Sequence, residues 1–129
     1  NQQPWHYILV KEKAVFKRIM ERHPYSKMLS EANAAIVVLG DKKLEIYKNY
    51  WSVDCAAATQ NILLAAHSLG IGAVWLGVYP RMERMDALRD IFVLPENIEP
   101  FSIVSLGYPA EEKGKEDRFK PERIHNNKW

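Results

Sequence analysis

Residues 52–80 read SVDCAAATQNILLAAHSLGIGAVWLGVYP. The stretch from Ser52 to Gly70 decides the fold. Ala, Leu and Ile fall nearly all round a helical wheel there, and a helix apolar on every face must be buried on every face. Ser52 or Asp54 is placed to cap its start, and Gly70 to end it. A chain of 129 residues has little with which to surround such a helix. Part of it is therefore expected to pack against a second subunit. GAVWLGVY (Gly72 to Tyr79) follows as a strand, and Pro80 suits the first turn of the next helix.

The same alternation continues outward in both directions. WHYILV (Trp5 to Val10) is short, aromatic and β-branched and reads as a buried strand. Glu12 to Arg22 sets Val15, Phe16, Ile19 and Met20 on one helical face. HPYS (His23 to Ser26) breaks that helix, because proline disfavours a helical residue before it. Lys27 to Glu31 forms a short helical turn, and AAIVVLG (Ala34 to Gly40) another buried strand. Asp41 to Trp51 reads as an aromatic loop with a helical turn. Arg81 to Phe92 is a helix carrying Met82, Met85, Leu88 and Phe92 inward, and PFSIVSLGYP (Pro100 to Pro109) is the last strand. From Ala110 the chain is polar and basic, and PERIHNNKW reads as extended. This order predicts one α/β or α+β domain around a central sheet.

Bulk properties exclude several partners. A net charge of +2 gives no electrostatic case for nucleic acid or an anionic membrane surface. No apolar run approaches the roughly 20 residues that cross a bilayer. Cys55 is the one cysteine, so no disulfide forms within the chain, and a reducing cytoplasm is the simpler setting.

Gly70, Gly72 and Gly77 invite a dinucleotide-binding reading, but spacing and order are both wrong for G-x-G-x-x-G. Gly77 stands at a strand end before a helix, where glycine serves either a turn or the close approach of a flat ligand to the backbone. The four histidines are scattered, with no pair at metal-ligand spacing. Cys55 lies in an Ala-rich helix and reads as a small core residue. No G-x-S-x-G elbow is present. The side chains offer little chemistry of their own, so an enzyme built from them leans on a cofactor. Lys113, Lys115, Arg118, Lys120 and Arg123 form either a solvated tail or a phosphate contact. The opening NQQPW puts donor and acceptor amides beside a strand, which suits either a polar loop or the N–H and C=O edge of a heterocycle. Pro4 is expected to hold Gln3 extended. Tyr47, Tyr50 and Trp51 are either loop aromatics or part of a substrate wall.

Taken in order, NQQPWHYILV, DCAAATQNILLAAHSLGIGAVWLGVYP and IVSLGYPAEEKGKEDRF resemble the nitroreductase family of flavoproteins. The resemblance implies an α+β fold with a central, mostly antiparallel sheet flanked by helices, in an intertwined homodimer with FMN at the subunit interface. It places Asn1 and Gln3 near the flavin from the neighbouring subunit. It sets the backbone of Leu76 and Gly77 against the ring, Arg118 on the phosphate, and Lys27 facing the flavin. Relatives often carry Lys two residues before the tail Arg; here Glu116 stands there, and Lys115 or Lys113 would compensate. The family's Arg-Arg-Ser phosphate motif would lie upstream of Asn1, so the opening residues read as the latter half of a site. The implied activity is NAD(P)H-dependent reduction of nitroaromatics, quinones or similar flat acceptors by a ping-pong scheme. Reductive dehalogenation, flavin modification and a non-catalytic dimeric flavin-binding module are the alternatives.

Overall fold

A computed structural model describes residues 1–111, 114 and 116–129. Among the described residues, four strands and three helices alternate. They are β1 (Trp5–Val10), α1 (Lys13–Arg22), β2 (Ala34–Asp41), α2 (Trp51–Ser68), β3 (Gly72–Gly77), α3 (Met82–Phe92) and β4 (Ile98–Gly107). Short 3-10 turns occupy Lys27–Ser30, Lys42–Leu44 and Pro121–Arg123, the last inside the PERIHNNKW stretch expected to be extended. The strands form one sheet in the order β1-β2-β4-β3, and every pairing is antiparallel. The fold is α+β.

Sheet order follows from apolar patterning. β2 and β4 carry nearly continuous apolar runs and lie inside, covered on both faces. β1 and β3 form the edges, leaving Tyr7, Leu9, Val74 and Trp75 exposed, so β1 is not the buried strand its apolar run predicts. Ala35, Val37 and Leu39 point to the side of α1 and α3, where they meet Phe16, Ile19, Met85 and Leu88. Val38 points the other way, to Trp51 and Cys55 of α2. The helices thus sandwich the sheet.

One irregularity shapes the α2 side. Val38 pairs with Ser102 but Leu39 pairs with Pro100, so Phe101 is an extra residue in β4. Such a bulge re-aims a side chain. Phe101 turns into an aromatic cluster with Trp51 (6.2 Å, edge-on), Tyr79 (6.0 Å, stacked) and Trp75 (5.9 Å). Trp51 also meets Tyr79 edge-on at 4.9 Å. Gly40 makes room for the indole: a Cβ there would lie 2.4 Å from Trp51 Cε3.

Several expectations are corrected. Trp51 is buried in that cluster and forms no substrate wall, while Tyr47 and Tyr50 are exposed. α2 starts at Trp51, before Ser52, and neither Ser52 nor Asp54 caps it; the Trp51 N–H is instead accepted by Glu45 Oε1 at 3.2 Å. Pro80 precedes α3, which begins at Met82. Met82 is exposed at that first position, and Ala87 and Ile91 join Met85 and Leu88 in the buried face. β4 begins at Ile98, two residues early, because the bulge lets Pro100 sit in the ladder. The other face of α2 is uncovered in the single chain, with Val53 57% and Leu64 59% exposed.

Gly40→Ala is expected to destabilise the fold by about 1–3 kcal/mol, since a methyl group cannot enter without moving the indole. Urea unfolding followed by tryptophan fluorescence measures it. An unchanged midpoint would contradict the packing described.

Candidate functional site at the end of β3

Gly77 closes β3 at the free edge of the sheet. A Cβ built on it would meet nothing within 4 Å, so the space beside its backbone is open. Its carbonyl accepts two hydrogen bonds, from His23 Nε2 at 3.0 Å and from Arg84 Nη1 at 2.7 Å. The Tyr25 N–H donates to His23 Nδ1 at 3.3 Å. That bond makes Nδ1 the acceptor and leaves the ring proton on Nε2, which donates to Gly77. In an antiparallel ladder the N–H and C=O of one residue point to the same side. Gly77's carbonyl faces groups from the end of α1 and from α3, so its N–H also faces away from β4.

The surroundings of the pair are apolar and aromatic. His23 is buried. Burial, foremost, and the nearby Arg84 charge lower its pKa below the usual 6.5, outweighing the bond to Gly77. The Arg84 guanidinium lies 5.4 Å from the Tyr25 ring centre, a cation–π distance. Among the described residues, Arg84 Nε is buried without a hydrogen-bond partner.

Two grooves adjoin this edge. One of about 430 Å³ lies at Pro80, Arg81, Met82 and Glu83. A larger one, about 600 Å³, lies at the far end of β3 among Met28, Ala32, Gly72, Val74, Leu106 and Tyr108. The tail that leads to Arg118 leaves from this second groove. The edge of β3 between the two spans roughly 17 Å, at about 3.4 Å per residue.

Leu76 sends its side chain into the core, so only its backbone is available beside Gly77. Lys27 and Arg118 are exposed. Lys115 lies outside the described residues, as does Lys113. Asn1 and Gln3 are exposed and precede β1, at the same end of the sheet but on the opposite edge. Three strand spacings, roughly 14 Å, separate that edge from β3. Within one chain the structure therefore brings Leu76 and Gly77 together and keeps Asn1 and Gln3 apart from them.

Gln3 departs from expectation: its φ is 51°, left-handed and not extended. The chain must turn there, since both neighbours are tied down. Gln2 Oε1 accepts from the N–H groups of Ile46 and Tyr47, and its Nε2 donates to Asp54 Oδ2 at 3.3 Å. Pro4 C=O accepts from Asp41 N at 2.7 Å. Gln2 is thus the amide that ties the opening segment to the β2–α2 loop, a role its place between two similar amides gave no reason to assign.

His23 and Arg84 were also not legible as site residues. His23 showed only as part of a helix-breaking HPYS, and Arg84 only as a polar position in α3. Cys55 matches its expectation: burial, then Asp54, pushes the thiol up to about 12, and Sγ rests against Leu39 O at 3.5 Å. Among the described residues no group of His, Cys, Asp and Glu could hold a metal ion. Among the same residues no helix is long and apolar enough to cross a membrane.

The sequence model of the nitroreductase family matches residues 7–108. The chain belongs to the nitroreductase family. An Archaeoglobus fulgidus protein named "Putative NADH dehydrogenase/NAD(P)H nitroreductase" is 56% identical over all of this chain and 76% of its own length. A crystal structure from Parabacteroides distasonis under the same name superposes with a TM-score of 0.95 at 38% identity, covering all of this chain and 76% of that one. A structure described as an FMN-dependent nitroreductase, from Clostridium difficile, gives a TM-score of 0.89 at 26% identity, over 98% of this chain and 77% of that one. This nitroreductase-family chain keeps the fold of those structures, with Gly77 at the edge of its sheet.

The His23 environment sets a pH dependence. Its folded pKa is lowered, so as pH falls the unfolded chain takes up the proton first. This contribution to stability is complete above about pH 6.5 and is lost as pH falls toward the folded value. Urea unfolding at about pH 8 and about pH 5 measures it, above the range where Asp41, itself held low chiefly by Asn97, takes up a proton. Stability should drop between the two pH values, and His23→Gln should remove part of that drop. Equal drops in both proteins would contradict the assignment.

Proposed function

We propose that this chain is an FMN-dependent oxidoreductase that takes electrons from NAD(P)H and reduces nitroaromatics, quinones or similar flat acceptors. The observation that carries the reading is the bare backbone of Gly77: open space where a side chain would stand, on a free strand edge. A planar ring can lie against such a backbone and take its N–H as a hydrogen bond. The names of the A. fulgidus and C. difficile relatives supply the donor and the cofactor.

The residues present fit that group. Leu76 and Gly77 would meet the ring through their backbones. Arg118, assisted by Lys115, would hold the phosphate, as Arg offers a planar fork to phosphate oxygens. The β3 edge is long enough for a flat head and an anionic end, and the tail that bears Arg118 departs from its far end. Lys27, exposed beside Met28 of the larger groove, adds a cation on that side. When bound, the flavin would supply the hydride and electron transfer between NAD(P)H and the acceptor, the two substrates alternating at one site in a ping-pong scheme. The protein's own residues would orient the ring and leave one face open to flat molecules.

The same reading makes the chain a homodimer. Asn1 and Gln3 stand on the wrong edge to reach a ligand at Gly77 of their own chain, so they would serve the neighbour's. The apolar face of α2 through Val53 and Leu64 would bury itself at that interface. With Cys55 buried and reduced, the chain suits the cytoplasm.

FMN titration followed by quenching of flavin fluorescence tests the site. Gly77→Val, which fills the open space, should weaken FMN binding at least about tenfold, and Arg118→Ala about tenfold. Wild-type affinity in Gly77→Val, with the fold intact by circular dichroism, would refute this location.

A further inference from the structure

The Gly77 carbonyl takes two donors, one from the end of α1 and one from α3. A single carbonyl at a strand edge needs only one partner, and water would supply it. Here the donors are instead a buried imidazole and a guanidinium, and the guanidinium leaves its Nε buried without a partner among the described residues. A stranded buried donor is a cost that a purely stabilising arrangement would avoid, and such costs gather at functional sites. The imidazole is fixed in one tautomer by the Tyr25 N–H, and the guanidinium is steadied over the Tyr25 ring. Tyr25 thus supports both donors.

We propose that His23 and Arg84 are positioning residues: a two-donor clamp that fixes the Gly77 carbonyl, and with it the Gly77 N–H, in the orientation the flavin ring requires. The inference deepens the FMN reading of this edge and rests on it. Without the clamp, Gly77 is a glycine at the end of an edge strand, free to rotate its peptide planes. With it, the backbone donor is pre-set before the ring arrives, so binding loses less freedom. Arg84 also brings a positive charge close to the place where an electron-rich reduced ring would sit, which favours the reduced form. His23 is neutral in this arrangement and acts through its hydrogen bond alone.

Four variants of the full protein test the clamp: Arg84→Met and His23→Leu remove a donor, whereas Arg84→Lys and His23→Gln keep one. Three quantities are read: the FMN dissociation constant, the midpoint potential of bound FMN, and the amide order parameter of Gly77 in flavin-free protein. Arg84→Met should weaken FMN about tenfold, shift the potential to more negative values and lower the Gly77 order parameter from about 0.85 to below about 0.6. His23→Leu should lower the order parameter likewise, and the two conservative variants should keep FMN affinity within about threefold of wild type and the order parameter near its rigid value. If Leu at position 23 unfolds the chain, the Arg84 pair carries the test alone. Wild-type FMN affinity, potential and Gly77 order parameter in a folded Arg84→Met protein would overturn the clamp. A wild-type protein that does not bind FMN would overturn the FMN reading instead, while a lowered Gly77 order parameter in the variants would still report the bonds to the carbonyl.

Discussion

An edge strand must dispose of the half of its backbone that faces no neighbour. Everything at the candidate site of this protein follows from how β3 meets that demand. Its N-terminal part borders a groove with the segment that follows α1, and its C-terminal part ends on Gly77. At that residue the outward carbonyl is tied to helices and the space beside the backbone stays empty. An unprotected edge would invite pairing with another strand. Tying down the Gly77 carbonyl removes an acceptor that such pairing would use.

The aromatic cluster on the opposite face of the sheet fixes where that edge ends. Phe101, turned by the bulge, stacks on Tyr79 and meets Trp51, and Tyr79 N donates to Phe101 O at 2.9 Å. That bond closes the β3–β4 ladder just past Gly77. A second network holds the loop before α2. Glu99, buried in β4, pairs with Arg89 of α3 and with Lys42 at 2.5 Å. Asp41 accepts from Asn97 at 2.7 Å and from Lys43 N at 2.8 Å. A buried carboxylate flanked by two cations is costly to break, because the survivor is left charged and dry. The two networks place α2 and α3 at fixed distances from β3, and α3 carries Arg84.

Much of this was legible in the sequence, and the reason is periodicity. β2 and β4 announce themselves as continuous apolar runs, α1 as an amphipathic face through Phe16 and Ile19, and α2 as apolar all round. Gly77 was visible as a glycine at a strand end, and the quoted motifs located the family. What stayed hidden were contacts between residues far apart in sequence. His23 and Gly77 are 54 positions apart, and Gln2 reaches across 45 to Tyr47. No local pattern encodes such pairs. The Phe101 bulge was equally silent, because one extra residue in a ladder changes no composition and appears only once β2 fixes the register. Trp51 was misread because a tryptophan at a loop end looks alike whether it faces solvent or fills the space that a glycine on the preceding strand leaves open.

The central claim is that two copies of this chain hold a flavin at the β3 edge. Sedimentation velocity of the protein mixed with FMN, recorded in the flavin absorption band, tests both halves together. The account predicts that the flavin absorbance sediments with a species of twice the 15.0 kDa chain mass. Flavin that remains unsedimented above a protein boundary at the mass of a single chain would contradict it.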